Sequence, residues 1–323
     1  MKKIVVIGGG TGTTAVLSGL KQYPDLDLSV IVSMTDDGGS NAVVRDQFGL
    51  LPLSDVRKSI IALAETDSQL LRELFTYRFA KGEGLSGHTL GNLMMMAATD
   101  ISGSEEVAIQ RLSVLFNVKG QVIPVTLEQT RLVAEYESGQ QVKGEHLIDE
   151  PEKDLGRIKN LTLSDSVAAN PRAVAAIQNA EVIIIGPGDL YTSTLANIIV
   201  PGIAEAIKNS QAQIIFVNNL MTKRGQTEEM SAADLVKEIT RYVRREPDMT
   251  LIHNQNFSSQ ILQKYADRNE YPIVDDLPQT AAYQRADLAD NTEALPDQGD
   301  TLVRSLIRHN STKLGKILRE LIG

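Results

Sequence analysis

Apolar positions in this chain come in short unbroken runs, each stopped by a turn and followed by apolar residues at helical spacing. Val5, Val6 and Ile7 end at Gly8-Gly9-Gly10-Thr11-Gly12, after which Ala15, Val16 and Leu20 continue at the helical repeat. The device recurs at Val182-Ile183-Ile184-Ile185, which stops at Gly186-Pro187-Gly188 and leads to a predicted helix over Leu195 to Ser210. Leu28 to Val32 reads as a further strand that ends at Thr35-Asp36-Asp37-Gly38-Gly39-Ser40, and Ile214 to Val217 and Thr250 to His253 read as two more. Unbroken apolar runs suit strands buried on both faces, and their alternation with helices predicts a parallel, doubly wound α/β sheet. Ligands of such sheets sit outside the carboxyl ends of the strands.

Ser54 can cap a long helix whose stripe runs through Val56, Ile60, Leu63, Leu70, Leu71 and Leu74, with a break near Asp67. A second helical stretch begins near Gly91 and carries Met94-Met95-Met96, which read as adaptable core filler. From 120 to 162 the pattern changes: Val122, Val125, Leu132, Ala134, Tyr136 and Val142 fall among polar residues, with Ser138-Gly139 at a turn. That is hairpin chemistry, so a small antiparallel insertion is expected within one domain spanning 1–323. Arg172 to Asn179 and Ala232 to Arg245 are predicted helices, Asp275 to Asp300 a loop-rich acidic region, and Leu314, Ile317, Leu318 and Leu321 a final amphipathic helix.

Composition narrows the class. The 323 residues can fill one large core with an insertion, and the absence of Cys excludes disulfides and thiolate metal sites. A formal charge of −9 opposes the counterion release that drives nucleic-acid binding, so no nucleic-acid partner is expected. No stretch approaches the ~20 apolar residues of a membrane span, and the short first strand leaves no room for a signal peptide. A cytoplasmic location is the expectation.

The two glycine turns carry the candidate chemistry. Free amides at a helix N-terminus, reinforced by its partial positive charge, favour phosphate. Asp36 follows Gly12 at the end of the second strand, where a carboxylate can hold a ribose hydroxyl, a metal-bound water or a substrate amine, or simply accept from Gly38 and Gly39. Asp36 and Asp37 are neighbours, so on an extended strand only one faces the ligand. In Gly87-His88-Thr89-Leu90-Gly91-Asn92, His88 can donate to phosphate, act as an acid or base, or cap the helix, and it has no partner at i+3 or i+4 for a histidine metal site. In Gly186-Pro187-Gly188-Asp189-Leu190-Tyr191-Thr192-Ser193, Tyr191 can stack on a base while Thr192 and Ser193 contact phosphate; the plainer reading is a capped helix with a buried Tyr. Asn218 and Asn219, followed by Thr222, can read a base or sugar edge or close a turn.

Taken together and in order, Gly8 to Gly12, Thr35 to Ser40, Ser54-Asp55-Val56-Arg57, Gly87 to Asn92, Gly186 to Ser193 and Asn219-Leu220-Met221-Thr222 resemble the gluconeogenesis-factor branch of the CofD family, end to end. The resemblance implies a Rossmann-like α/β/α fold with a mostly parallel sheet. For this branch it implies a cytoplasmic factor for cell shape and gluconeogenic growth that binds UDP-sugars such as UDP-N-acetylglucosamine. Its site residues, Arg57 and Asn92 among them, would come from the segments just quoted. It also implies a nucleotide-sugar site using Tyr265 in Gln263-Lys264-Tyr265 and Arg308 in Ile307-Arg308-His309, with cell-wall precursor enzymes and a second copy of the chain as candidate partners. The other branch transfers 2-phospholactate from a guanosine-diphosphate-linked donor to a deazaflavin alcohol with magnesium; here Asp36 or Asp37 would hold the metal, with His88 as a further catalytic candidate. A nicotinamide oxidoreductase is a third reading, with His88 its one candidate proton donor. Asp189 stands where the branch usually has Ser, placing a carboxylate in a phosphate turn. The diphosphate is accordingly expected at Gly8 to Gly12, with Gly186 to Ser193 shaping the sugar or base side.

Overall fold

The computed structural model describes residues 1–38, 41–42, 49–65, 69–153, 155–290, 292–293 and 305–323. The first apolar run forms β1 (Lys2–Gly8), followed by α1 (Gly10–Leu20) and β2 (Leu26–Val32). Then come α2 (Ser54–Leu63), α3 (Gln69–Thr76), α4 (Leu90–Ser102), α5 (Glu105–Leu115) and β3 (Gln121–Pro124). The next elements are β4 (Leu132–Tyr136), β5 (Gln141–Lys143), α6 (Glu145–Asp149) and β6 (Ile158–Leu163), then α7 (Pro171–Asn179) and β7 (Val182–Ile185). A π-helical turn (Leu190–Leu195) runs into α8 (Ala196–Ile198) and α9 (Ile203–Asn209). The chain closes with β8 (Gln213–Val217), α10 (Ala232–Val243), β9 (Met249–His253), α11 (Ser259–Ala266), β10 (Tyr283–Ala286) and α12 (Ser311–Ile322).

Seven strands make one sheet in the order β10-β9-β8-β7-β1-β2-β3, and every neighbouring pair is parallel. The chain moves outward from β1 in one direction and from β7 in the other. Right-handed crossovers therefore put α1 and α9 on opposite faces. The packing agrees: α1 lies against α12 and α2, whereas α9 lies against α7 and α10. The α1–α12 contact is close because both helices present glycine; a Cβ at Gly19 would stand 2.2 Å from the Ser311 carbonyl oxygen.

The insertion is a three-stranded antiparallel sheet, ordered β5-β4-β6. It begins after β3, not at residue 120, because Gln121–Pro124 pairs in parallel with β2 and closes the edge of the main sheet. Three further features differ from the sequence reading. Ser54 does not cap α2: Leu53 holds the cap position, and the Ser54 hydroxyl accepts from Asn41 Nδ2 at 2.9 Å. The expected helix over Leu195 to Ser210 is interrupted at Pro201-Gly202, and β10 adds a strand inside the region read as loop. The expected break near Asp67 lies outside the described residues, although α2 does end at Leu63 and α3 starts at Gln69.

Among the described residues no single helix is long and apolar enough to cross a membrane; the one pair that reaches that length together, Leu190–Ile198 and Ile203–Asn209, is bent by 74°.

Candidate functional site

Adjacent strands β1 and β7 bring the two glycine turns side by side. Gly186 N donates to the Ile7 carbonyl at 2.9 Å, a Cβ at Gly12 would stand 2.3 Å from the Pro187 carbonyl oxygen, and one at Gly188 would stand 3.3 Å from the Gly9 oxygen. A side chain is thus excluded at Gly12, and Gly188 leaves only tight room for one, where the two turns close on one another. They open on a cleft of about 380 Å³ at the carboxyl end of the sheet, lined by Gly9 to Gly12 and by Pro187, Gly188 and Asp189. Among the described residues no side chain caps α1 and its own first turn holds no acid, although the Asp55 carboxylate lies beside Gly9.

The same cleft gathers most of the residues singled out in the sequence: Asp36, Gly38, Arg57, His88, Asn92, Thr192, Ser193, Asn219, Thr222, Tyr265 and Arg308 all line it. Gly39 and Ser40 lie outside the described residues. Gly8 and Gly186 stand behind the turns, where the Gly8 carbonyl accepts from Asn197 Nδ2 at 3.3 Å and Gly186 holds φ +73°. Asn218 is buried beneath the cleft, with both side-chain polar atoms unpartnered among the described residues. Asn219 Nδ2 donates to the Gly188 carbonyl at 2.8 Å, tying β8 to the second turn, and the Thr222 hydroxyl accepts from Tyr271 N at 2.8 Å.

Asp36 and Asp37 diverge, as neighbours on an extended segment must. Asp36 lines the cleft, its two oxygens accepting from Gly38 N at 2.9 Å and Asn41 Nδ2 at 2.6 Å. Burial and the nearby Asp55 raise its pKa above the ordinary carboxylate value, with the two hydrogen bonds and Lys58 acting the other way. Asp37 turns toward the insertion and accepts from His146 N at 3.0 Å. The two carboxylates therefore do not converge on one point, and Asp36 alone of the pair lines the cleft. Among the described residues no three carboxylate or histidine side chains come together to hold a metal ion.

Two aromatic residues offer no ring to the cleft, Tyr191 in agreement with the plainer of its two readings. Tyr191 does not reach the cleft: only 2% exposed, it donates to Glu238 Oε1 at 2.9 Å on the face covered by α10. The π-helical turn instead presents Thr192 and Ser193 to the cleft. Tyr265 reaches the cleft wall but is 1% exposed, packed with Leu220, Met221, Ile261 and Ile307, and its hydroxyl accepts from Ile307 N at 2.9 Å. So buried, it offers no bare ring face on which a base can stack; it anchors the segment that presents Arg308. The Arg308 Nε is buried and has no partner among the described residues. Arg57, on α2, is held by Asn92 Oδ1, 3.2 Å from its Nε.

Several lining residues carried no signal in the sequence reading. Glu145 and Asp149 arrive on α6, delivered to the cleft by the insertion; burial, then Asp36, Asp149, Asp55 and Asp37, push the pKa of Glu145 well above its usual value. Lys223 follows Thr222 directly. Its position beyond the end of a parallel strand was the available clue.

The CofD family model, described as 2-phospho-L-lactate transferase, matches residues 4–292. The chain is 35% identical to a gluconeogenesis factor of Bacillus subtilis, over 99% of this chain and 98% of that protein. A gluconeogenesis factor of Listeria monocytogenes is 39% identical over 80% of each. A solved structure from Bacillus halodurans, described as a member of the UPF0052 family, has a TM-score of 0.88 at 34% identity and covers 98% of both chains.

Proposed function

The chain belongs to the CofD family, on the branch of the gluconeogenesis factors, and from that premise we propose that it is a cytoplasmic regulatory protein that binds a UDP-sugar, UDP-N-acetylglucosamine in the first instance, without turning it over. Its occupancy would report nucleotide-sugar supply and link gluconeogenic growth to cell-wall synthesis and cell shape.

The observation that carries this reading is Arg308. Its buried Nε finds no acceptor among the described residues, and a phosphate oxygen is an acceptor it suits well. The uncapped N-terminus of α1 lines the same cleft and supplies neutral amides to the same anion. A diphosphate shared between them leaves the other cleft residues for the sugar and base.

Calorimetric titration with UDP-, GDP- and nicotinamide nucleotides tests the proposal. UDP-N-acetylglucosamine is expected to bind, and Arg308→Ala to weaken it by about 10- to 100-fold, the worth of charge-assisted hydrogen bonds. No heat with any UDP-sugar would contradict it.

A further inference from the structure

Each glycine turn holds a carboxylate against a lysine. At the first, Asp55 Oδ2 fills the space beside Gly9, where a Cβ would stand 2.3 Å from it, and Lys58 Nζ lies 3.0 Å from Asp55 Oδ1. At the second, Lys223 Nζ lies 4.0 Å from Asp189 Oδ2 and 3.5 Å from Asp149 Oδ2. Burial opposes the charge on Lys223, but Asp189, Asp149 and Glu270 outweigh it and hold its pKa above the usual lysine value. The lysine is an ammonium fixed among carboxylates.

The two turns are not equivalent. The first opens the uncapped 11-residue helix α1; the second opens on the π-helical turn, with Asp189 itself in the cap position. At that second wall Asp189, Asp149 and Glu270 are grouped around Lys223, with Arg268 beside Glu270, so the cations there are already engaged by carboxylates and a phosphate would have to compete with them. A neutral group rich in O–H and N–H donors meets acceptors instead.

Resting on the nucleotide-sugar reading above, we propose that the Asp189–Lys223 pair is the specificity element for the sugar. Asp189 accepts from the sugar hydroxyls, Lys223 fixes and balances that carboxylate, and a sugar bearing its own carboxylate is refused.

UDP-glucose and UDP-glucuronate differ only in replacing the sugar's terminal hydroxymethyl group by a carboxylate, so their binding ratio reads the wall directly. The wild-type chain is expected to bind UDP-glucuronate at least about tenfold more weakly, because a like charge brought against a partly buried carboxylate is strongly disfavoured. Asp189→Ser is expected to narrow that ratio to about threefold or less, and Asp189→Asn, which keeps the shape, to do the same. Lys223→Gln should weaken both ligands by about tenfold, and adding Asp189→Ser should recover part of that loss, because the unbalanced carboxylate is then gone. A ratio unchanged in both Asp189 variants, or additive effects in the double variant, overturns this inference while leaving UDP-sugar binding intact. A wild-type chain that binds neither UDP-glucose nor UDP-N-acetylglucosamine overturns the nucleotide-sugar reading, and this inference with it.

Discussion

Tyr265 acts on the cleft through the backbone. Its hydroxyl is the acceptor for the buried Ile307 N–H, one residue before Arg308. Tyr265→Phe keeps the ring and removes the acceptor, so urea denaturation should show a loss of about 1–3 kcal/mol, the cost of a buried unsatisfied amide. The same variant should bind UDP-N-acetylglucosamine more weakly than the wild type, because Arg308 loses its fixed support; unaltered affinity would separate Tyr265 from the site. Glu145 predicts a pH dependence. Its raised pKa means that the folded chain holds the proton more tightly than the unfolded chain, so the stability it contributes is present at low pH and lost as pH rises through the folded value. Glu145→Gln, which mimics the protonated acid, should therefore raise Tm at about pH 8 and make little difference at about pH 5. An equal gain at both would contradict the assignment. His309 has the opposite sign: burial, with His253 adding to it, lowers its pKa to about 4 against the opposing Asn218 backbone bond, so its contribution is present above the ordinary histidine value and lost as pH falls toward 4. At this scale the sequence reading anticipated that Asp36 and Asp37 would part, because alternation on an extended strand is a local rule. Of the two readings open for Tyr191, burial is the one observed, whereas the burial of Tyr265 depends on the Ile307 segment, distant in sequence.

Elements were legible where burial is symmetric. β1, β2, β7 and β8 are covered on both faces, so their apolar runs are nearly continuous, broken within β2 by Asp27 and Ser29, and their positions stand out in the sequence. β10, Tyr-Gln-Arg-Ala at the sheet edge, is half-buried throughout and offers no such run. α5 carries a capping signal, with Ser104 accepting from Val107 N and Glu105 and Glu106 in its first turn, but it exposes Val114 and Leu115 and its apolar stripe is weak. Gly19 and Gly315 show the converse, a close helix contact that propensity alone would misjudge. Alanine at Gly19 gains about 0.8–1.0 kcal/mol of helix propensity. Its Cβ, however, would stand 2.2 Å from the Ser311 carbonyl oxygen and 2.9 Å from Gly315 Cα, both backbone atoms. Overpacking of that kind costs about 1–3 kcal/mol, so Gly19→Ala should be net destabilising in urea denaturation. A more stable variant would mean that α12 shifts freely on α1.

For the molecule as a whole, the decisive feature is the reversal of strand order between β1 and β7. It sets two helix-opening turns side by side at one end of the sheet, where doubly wound folds bind their ligands. That much followed from strand–helix alternation together with two similar glycine turns. The contribution of the insertion did not: α6 brings Glu145, His146 and Asp149 to the cleft from a segment whose own pattern speaks only of hairpins. Nor did Lys223, whose charge acquires its role from Asp149 and Asp189, on two other elements. The proposed division of the site assigns the α1 amides and Arg308 to the anion and the Asp189 wall to the sugar, in a cleft that also holds Asp36, Asp55 and Glu145. A crystal structure of the complex with UDP-N-acetylglucosamine tests this most directly. The diphosphate is predicted within hydrogen-bonding distance of the Gly10 to Gly12 amides and of Arg308, with the sugar against Asp189; a diphosphate seated at the Asp189 turn, or a ligand outside this cleft, would contradict the account.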